Sequence, residues 1–277
     1  MAITFVVVPQ WQGSGSARAM RLVDGAEAIR GDLPSAMTRV VDVPLEAGDE
    51  QGTGIHRMSS VAVVRDRLAE VLESITGPAV TIGGDCGVEL GAIAHVLSGE
   101  GAENVAVVWF DAHPDLNTVE SSPSGAFGGM VLRTLLGEGP AALVPATPLT
   151  TDRVILVGAR AFDVSEAEFL DRTSLRSIGV ADATAKSVVA AVKKTGARSV
   201  YIHVDLDVLD PGAFTGLGYP EPFGMTADTL VKTVKALVAG FELAGAGITE
   251  FAPAAASDAV DDLPTILRLV GAFTSGS

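Results

Sequence analysis

Short runs of β-branched residues alternate with Ala-rich helical segments along the chain, and this alternation constrains the fold more than any other feature. Strands that are apolar on both faces are typical of a parallel sheet covered by helices on each side. The pattern therefore predicts an α/β fold, a three-layer αβα sandwich with a mostly parallel central sheet. Strands are predicted at residues 3–8, 39–43, 79–82, 105–110, 154–157, 176–178, 199–204 and 247–251. Helices are predicted at residues 17–30, 59–75, 88–98, 128–136, 165–172, 183–194, 226–239 and 261–273.

Loop composition and helix caps predict a single domain over residues 1–277. Ser165 and Thr226 each precede an acidic first turn, so we expect both to be helix N-caps. The Gly-, Ser- and Pro-rich segments 121–129 and 210–225 follow strands that end in charged residues. Loops in such positions often carry function, so we expect both segments to border an active site rather than to join domains.

The charge and the cysteine content exclude several classes of partner. The chain has 34 acidic and 19 basic residues and a net charge of −15. A surface with this negative charge disfavours binding to nucleic acid and to anionic membranes, and it attracts cationic small molecules. The single cysteine, Cys86, excludes an internal disulfide and favours the reducing cytoplasm. The sequence predicts no signal peptide and no apolar run of the roughly 20 residues that a membrane helix needs.

The strand predicted at residues 105–110 runs into charged side chains at two-residue spacing. Asp111, His113 and Asp115 would share one face of an extended chain. Charges that directly follow a buried strand are costly to desolvate unless something compensates them, and a bound metal ion does so. The alternative is a helix N-cap beside a histidine whose hydrogen bonds are satisfied. The triplet is therefore a candidate metal-binding motif.

The strand predicted at residues 199–204 ends in a second pair of carboxylates, Asp205 and Asp207. This pair could instead cap a following helix or bind a single ion. However, the carboxyl ends of parallel strands meet in one crevice, which is where such sheets bind ligands. We therefore expect the pair to join the first motif in one site.

Two further strand ends carry residues that suit the same site. Cys86 follows Gly83 and Gly84, which predict a tight turn or a close backbone approach, and Glu250 ends the last predicted strand. Without other information, a lone cysteine is usually a small buried apolar residue, and the glutamate could be a surface or capping acid. Beside a metal site, Cys86 becomes a candidate thiolate ligand.

The order and spacing of these motifs resemble the arginase/agmatinase (ureohydrolase) family over nearly the whole chain. Residues 83–87 are GGDCG, where the family has a GGDHS-like motif, and residues 111–117 are DAHPDLN, matching DAHxDxN. DLD at residues 205–207 and TEFAP at residues 249–253 match the remaining two motifs. Within the family, the chain is similar to the arginase-like enzymes that make hydroxyurea for D-cycloserine biosynthesis, an antibiotic pathway.

The resemblance implies two divalent metal ions per chain and six side chains that ligate them, namely Cys86, Asp111, His113, Asp115, Asp205 and Asp207. In the family pattern, Asp111 and Asp205 would bridge the two ions. Cys86 and Asp115 would complete the shell of one ion, and the remaining two ligands would complete the shell of the other. Oxygen ligands outnumber the sulfur, which favours Mn²⁺ over softer ions such as Zn²⁺ or Co²⁺.

The resemblance also implies residues for catalysis and for substrate binding. Asp115 and Glu250 are the expected catalytic residues, and a glutamate at the second position hydrogen-bonds the substrate guanidinium. Asn117, Ser124 and Asp163 match positions that hold the amino-acid end of the substrate. They favour an arginine-like amino acid over agmatine, although polar residues in such loops can also serve only to form turns.

Two positions depart from the family pattern. Cys86 stands where the family has a histidine ligand. Phe127 stands where arginases have the loop histidine that assists proton transfer to the leaving group, and we expect it to narrow the substrate pocket. The three histidines other than the predicted ligand, His56, His95 and His203, lie outside the motif positions.

These departures favour a guanidine that is less basic than arginine. A free guanidinium keeps its proton up to a pKa above about 12, so losing the proton-transfer histidine should slow its hydrolysis. N-hydroxylation lowers this basicity, and we therefore predict an Nω-hydroxy-L-arginine amidinohydrolase that yields hydroxyurea and L-ornithine. The alternatives are an arginase, an agmatinase or guanidino-acid hydrolase, and a non-catalytic metal-binding relative. The sequence leaves open whether the chain is a monomer or a homo-oligomer.

Overall fold

In the computed structural model, which describes residues 3–255 and 257–276, eight strands form one sheet. The strands are β1 (Thr4–Val8), β2 (Thr38–Val40), β3 (Ala79–Gly83), β4 (Val105–Phe110), β5 (Val154–Val157), β6 (Arg176–Ile178), β7 (Ser199–Asp205) and β8 (Glu242–Thr249). Their order across the sheet is β2-β1-β3-β8-β7-β4-β5-β6, and neighbouring strands are parallel throughout. The predicted α/β architecture is confirmed, and the sheet is wholly parallel over the described strands.

Helices cover both faces of this sheet. They are α1 (Arg21–Gly31), α2 (Met58–Glu73), α3 (Glu89–Ser98), α4 (Val131–Leu135), α5 (Val164–Arg172), α6 (Ala185–Thr195), α7 (Ala227–Gly240) and α8 (Ala259–Phe273). Helices α1, α6, α7 and α8 contribute to an apolar cluster on one face, and α2 to α5 contribute to a second cluster on the other. Alternate residues of β4 belong to the two clusters, as expected for a strand buried on both sides. Within the described part of the chain, none of these helices is long and apolar enough to cross a membrane.

Several element boundaries differ from the prediction. Strand β8 begins at Glu242, whereas the sequence predicted a start at residue 247. The prediction missed the first half of the strand, ELAGA, because that segment lacks the β-branched residues that mark a strand. Helix α4 has only five residues, since Gly128–Met130 forms a 3₁₀ turn before it. Helix α1 begins at Arg21 rather than at residue 17, and β2 is a three-residue strand at the edge of the sheet.

The helix caps confirm one prediction and correct another. Thr226 caps α7, and its side chain accepts a backbone N–H in the first turn. The N-cap of α5 is Asp163 and not Ser165. The carboxylate of Glu166 accepts the backbone N–H of Asp163 at 2.9 Å, as in a capping box. The start of α5 is therefore fixed two residues earlier, at a residue that the sequence assigned to substrate binding.

The strand order explains why distant motifs meet. Strands β3, β8, β7 and β4 are consecutive neighbours in the middle of the sheet. Because all four are parallel, the segments that follow them leave the same edge of the sheet. Cys86, Glu250, Asp207 and Asp111 lie in these four segments, in that order across the sheet.

Candidate active site

The carboxyl edge of the sheet opens into a cavity of about 270 Å³ that collects most of the predicted site residues. Those that line it are Cys86, His113, Asp115, Asn117, Ser124, Asp163, Asp205, Asp207 and Glu250. Asp111 is fully buried, and its carboxylate contacts the backbone and the ring of His113. Phe127 is the exception among the predicted residues.

Three of the predicted ligands form the part of the site that we call the His113 half, which consists of Asp111, His113 and Asp207. His113 Nδ1 lies 2.8 Å from Asp207 Oδ2 and 3.7 Å from Asp111 Oδ1. The backbone N–H of Ala112 donates to Asp207 Oδ1 at 2.9 Å, and the indole N–H of Trp109 donates to Asp111 Oδ2 at 3.0 Å. Each carboxylate oxygen of this half therefore has a polar partner.

Charge pairing sets the protonation of the His113 half. Burial alone would lower the pKa of His113, but its hydrogen bonds with Asp111 and Asp207 outweigh burial and raise the pKa to about 12. Burial opposes the ionisation of Asp207 as well, yet the hydrogen bond from His113 brings the pKa of this carboxyl below its ordinary value. A metal ion bound here would take the place of the imidazole proton.

The other three predicted ligands, Cys86, Asp115 and Asp205, form what we call the Cys86 half together with Glu250. Cys86 Sγ lies 3.1 Å from Asp205 Oδ2 and 3.2 Å from Thr249 Oγ1. Asp115 Oδ2 and Glu250 Oε2 are buried and have no hydrogen-bond partner among the described residues. All four members of this half are acids, and the charge of His113 offsets the repulsion on Asp115 only in part.

Burial and mutual repulsion shift every acid of the Cys86 half in the same direction. Burial, followed by the nearby charge of Asp205, raises the pKa of the Cys86 thiol well above its ordinary value. Burial and neighbouring carboxylates likewise raise the pKa of Asp115, Asp205 and Glu250. Buried carboxyl oxygens without a hydrogen-bond partner among the described residues, together with a sulfur, are groups that a divalent cation satisfies, so the residues fit a metal centre.

Two of the site residues adopt a backbone conformation that is unfavourable for residues other than glycine. Asp115 has φ of 53° and Glu250 has φ of 63°, both in the left-handed region. The Glu250 N–H donates to the carbonyl of Gly84 at 2.8 Å, and the Arg133 N–H donates to the carbonyl of Asp115 at 3.1 Å. These bonds hold strained segments in place, and strain of this kind is concentrated at functional sites.

The glycines before Cys86 serve a close backbone approach, as the sequence indicated. A Cβ atom at Gly84 would lie 1.7 Å from the carbonyl oxygen of Gln10. The next residue, Asp85, is fully buried and accepts hydrogen bonds from the Gln10 side chain and from the N–H groups of Gly13 and Gly87. Burial raises the pKa of Asp85 to about 6 in spite of these bonds. Asp85 therefore organises the loop that presents Cys86.

The predicted substrate loop forms a hydrogen-bonded wall of the cavity. Asn117 Nδ2 donates to Asp163 Oδ2 at 2.8 Å. The hydroxyls of Ser121 and Ser165 donate to Asn117 Oδ1 at 2.8 and 3.1 Å. Ser124 lies further along the loop, where its Oγ accepts the N–H of Ala126 at 3.2 Å. The three predicted binding residues thus face one cavity, two of them already joined to each other.

Phe127 does not take the position that the sequence suggested. Its side chain is fully buried in the apolar cluster formed with helices α2 to α5, and the cavity is lined instead by its neighbours Ala126 and Gly128. The Gly128 N–H donates to the carbonyl of Gly13 at 2.9 Å, which places the loop backbone at the cavity. Burial of the aromatic ring favours its inward orientation. Phe127 therefore does not narrow the pocket with its side chain.

Glu166 and Tyr219 line the cavity but were not predicted as site residues from the sequence. Glu166 accepts the backbone N–H of Leu116 at 3.0 Å, and burial raises its pKa to about 7. Its signal was the D-x-x-E spacing from Asp163, which predicts a capping box. Tyr219 comes from the Gly- and Pro-rich loop after β7, and its ring lies edge-on to His113 with the ring centroids 6.3 Å apart. No periodic pattern in that loop pointed to it.

Arg160 holds the loop that carries Tyr219. Its guanidinium donates to the carbonyls of Asp207 and Glu221, both at 2.8 Å, and to the carbonyl of Pro222 at 2.9 Å. The fork of guanidinium donors ties the strand end at the metal site to the far end of the loop. The mouth of the cavity is therefore braced by backbone contacts.

Comparison with known proteins places the chain in a family. The model of the Arginase family matches residues 18–265. The chain is 28% identical over 274 residues to the arginase of Entamoeba histolytica, covering 91% of this chain and 90% of that protein. It is 29% identical over 235 residues to the arginase of Bacillus subtilis, covering 76% of this chain and 77% of that protein.

Solved structures agree with the fold. The crystal structure of Entamoeba histolytica arginase in complex with L-ornithine has a TM-score of 0.88 and 24% identity, covering 99% of this chain and 98% of that one. The proclavaminate amidino hydrolase of Streptomyces clavuligerus has a TM-score of 0.74 and 18% identity, covering 99% and 92%. At these identities the likeness concerns the fold.

A parallel αβα sandwich with carboxylates, an imidazole and a sulfur at adjacent strand ends defines a metal-dependent enzyme. The chain belongs to the arginase family and is a hydrolase of C–N bonds in linear amidines. Enzymes of this family use a binuclear divalent metal centre, and the described chain offers ligand groups for one.

Proposed function

We propose that the chain is a binuclear-metal amidinohydrolase that converts Nω-hydroxy-L-arginine and water to hydroxyurea and L-ornithine. The observation that carries the proposal is the composition of the cavity wall. Among the described residues that line the cavity, His113 is the only histidine, and it is a metal ligand in our assignment. The site therefore suits a substrate that needs little acid assistance at its leaving group.

The metal ions that we propose are two Mn²⁺, held by the four aspartates Asp111, Asp115, Asp205 and Asp207 together with His113 and Cys86. The unpartnered oxygen of Asp115 and the repulsion among the carboxylates support this assignment. Bound divalent ions supply hydroxide from water near neutral pH. Four carboxylates favour manganese in spite of the sulfur.

Glu250 is the residue that we assign to the guanidino group. Its Oε2 is buried and has no hydrogen-bond partner in the described part of the chain, so it can accept an N–H of the substrate. Asp163 and Asn117, with Ser124, would hold the α-amino and α-carboxylate groups at the other end of the cavity. This arrangement would orient the guanidino carbon towards the metal ligands. The Asp115 carboxylate would then lie at the guanidino end of the substrate, where the reaction takes place.

The reaction adds the hydroxide of one water molecule to the guanidino carbon and then breaks the bond between that carbon and Nε, the nitrogen attached to Cδ of the substrate. The electron pair of that bond and one proton go to the departing amine, which becomes the side-chain amine of L-ornithine. The carbon leaves as hydroxyurea. Because N-hydroxylation makes the guanidine less basic, a neutral form is available for attack, whereas arginine stays protonated.

Steady-state kinetics of one preparation on Nω-hydroxy-L-arginine, L-arginine and agmatine test the proposal. General acid or base assistance is worth on the order of 10²–10⁴-fold, so we expect a preference for the hydroxylated substrate within that range. Turnover of arginine that equals or exceeds turnover of the hydroxylated substrate would overturn the substrate assignment. Preferred turnover of agmatine would instead identify an agmatinase.

Metal analysis of the same preparation tests the enzymatic class separately. We expect two equivalents of divalent ion per chain after gentle purification, with manganese supporting the highest activity. A chain that binds fewer ions and hydrolyses none of the three substrates would be a non-catalytic relative.

A further inference from the structure

A second polar layer lies behind the Cys86 half, deeper in the protein. It contains Glu89 at the start of α3 and Tyr201 and His203 on β7, and each is at most 1% exposed. Burying a carboxyl and an imidazole in an otherwise apolar core is unfavourable unless the groups have a role there. Glu89 and Tyr201 take no part in the site as described so far, whereas the ring of His203 lies close enough to Cys86 and Asp111 to form a candidate ligand group with them.

Successive contacts connect this polar layer to Cys86. Tyr201, His203 and Asp205 alternate along β7 and therefore share a face of the sheet. The Tyr201 hydroxyl donates to Glu89 Oε2 at 2.6 Å, and Glu89 Oε1 lies 3.5 Å from His203 Nδ1, close enough for an ion pair but without a hydrogen bond among the described residues. On its other side, His203 Nε2 lies 3.9 Å from Cys86 Sγ. His203 thus lies between a buried carboxyl and the sulfur.

Neighbouring residues are shaped to hold this arrangement. Gly247 is the register partner of His203 on β8, and a Cβ atom there would lie 1.7 Å from Glu89 Oε1. The glycine therefore leaves the space that the Glu89 carboxyl occupies. On β4, Trp109 is the other register partner, and its ring packs against the imidazole with the ring centroids 3.7 Å apart. The imidazole is fixed from both sides of the strand.

We propose that His203 is the positioning residue of Cys86. Its Nε2–H donates a hydrogen bond to the Cys86 sulfur and holds it beside Asp205, where it ligates a metal ion, while Glu89 orients the imidazole. Groups behind a ligand commonly fix its direction in this way, and their loss weakens metal binding. The inference rests on the ligand role of Cys86 in the proposed function.

Binding of Co²⁺ to the metal-free protein tests this proposal without any substrate. Affinity is measured by competition with a chelator, and the near-ultraviolet thiolate-to-cobalt absorption reports the bond between Cys86 and the metal. We expect His203→Asn, which lacks the reach of Nε2, to weaken affinity roughly 10–100-fold and to reduce the absorption. His203→Gln places an N–H close to the original Nε2 and should restore part of both signals.

Two further variants keep the test decisive. Glu89→Gln leaves His203 in place but removes the carboxylate that orients it, and it should shift both signals in the same direction as His203→Asn. His95→Gln is the matched control on the same helix as Glu89, with both signals unchanged. Far-ultraviolet circular dichroism of each metal-free variant establishes that it is folded, and Glu89→Gln decides the question if His203→Asn is not.

The outcomes separate this proposal from the proposed function. Folded His203→Asn and Glu89→Gln proteins with the original affinity and absorption would overturn the positioning role. If Cys86→Ser removes the absorption while these two variants retain it, only the positioning role fails. If Cys86→Ser also leaves affinity and absorption unchanged, the ligand role of Cys86 fails together with the inference.

Discussion

The His113 half and the Cys86 half of the site differ in how their buried ionisable groups are compensated. In the first, an imidazole pairs with two carboxylates; its contact lowers the pKa of Asp207, while burial still raises the pKa of Asp111. In the second, carboxylates and a thiol face one another without a cation, and every pKa is raised. One half is therefore organised by its own side chains, whereas the other presents acidic groups that a bound metal ion would compensate.

Removal of a carboxylate that we expect to bridge the two metal ions should have the largest effect. Asp205→Asn keeps the volume but removes the charge of the expected bridging carboxylate. We expect activity to fall on the order of 10³-fold or more, as for one member of a group that acts as a unit, and metal content to fall below two equivalents. Inductively coupled plasma mass spectrometry and initial rates measure the two effects.

The exposed Asp171 on α5 provides the control for this substitution. Asp171→Asn should leave both metal content and rate unchanged. A fully loaded and active Asp205→Asn enzyme would show that the bridging assignment is wrong.

Conversion of the Cys86 half towards the His113 half should have the next largest effect. Cys86→His restores the ligand type of the family pattern, and we expect it to change metal affinity roughly 10–100-fold and to raise arginine turnover relative to Nω-hydroxy-L-arginine turnover. Chelator competition and paired kinetics measure these changes, with Cys86→Ser as the control that removes the thiolate without supplying an imidazole. An unaltered substrate ratio and metal content would argue that Cys86 is not a ligand.

The two halves should also make metal binding depend on pH. The raised pKa values of His113 and Cys86 keep both groups protonated in the metal-free protein at neutral pH, and ligation requires that the protons leave. Affinity should therefore rise with pH, by about tenfold per pH unit for each proton released.

Titration calorimetry in buffers of different ionisation enthalpy counts the released protons. Cys86→Ser should release one proton fewer and show a shallower pH dependence, while the contribution of His113 persists. Equal affinity at mildly acidic and mildly alkaline pH would contradict the charge distribution described for the two halves.

A substitution outside both halves should have the smallest effect. Asp163→Ser keeps a good N-cap for α5 but removes the carboxylate that we assign to the substrate α-amino group. One charge-assisted hydrogen bond is worth about 1.5–3 kcal/mol, so KM should rise roughly tenfold or more with little change in kcat. Thermal unfolding checks that stability is retained. An unchanged KM would remove Asp163 from substrate recognition.

The grouping of the candidate ligands could be predicted from the sequence because it depends on local features. Asp111, His113, Asp205 and Asp207 follow apolar strands at short spacing, and parallel strands bring their carboxyl ends together. The fold class followed from the same alternation of strands and helices. Boundaries were less accurate where a strand lacked β-branched residues, as in the first half of β8.

The remaining features depend on contacts that no local pattern encodes. Phe127 points into the core because of how its loop packs on Gly13, which is distant in the sequence. The pairing of His203 with Glu89 requires that β7 lie beside β8, where Gly247 leaves room for a side chain from α3. The left-handed backbone of Asp115 follows from the closed structure around it, since isolated aspartate residues rarely adopt that conformation.

The left-handed backbone conformations of Asp115 and Glu250 lower the stability of the fold at two positions whose side chains we assign to activity. Strain of this kind costs on the order of 1–3 kcal/mol per residue, and glycine would adopt these angles without it. Substitution by glycine would also relieve repulsion among buried carboxylates. A screen for thermostability would therefore enrich Asp115→Gly and Glu250→Gly, the changes that remove a proposed metal ligand and the carboxylate proposed to bind the guanidino group, and selection for hydrolysis would oppose both.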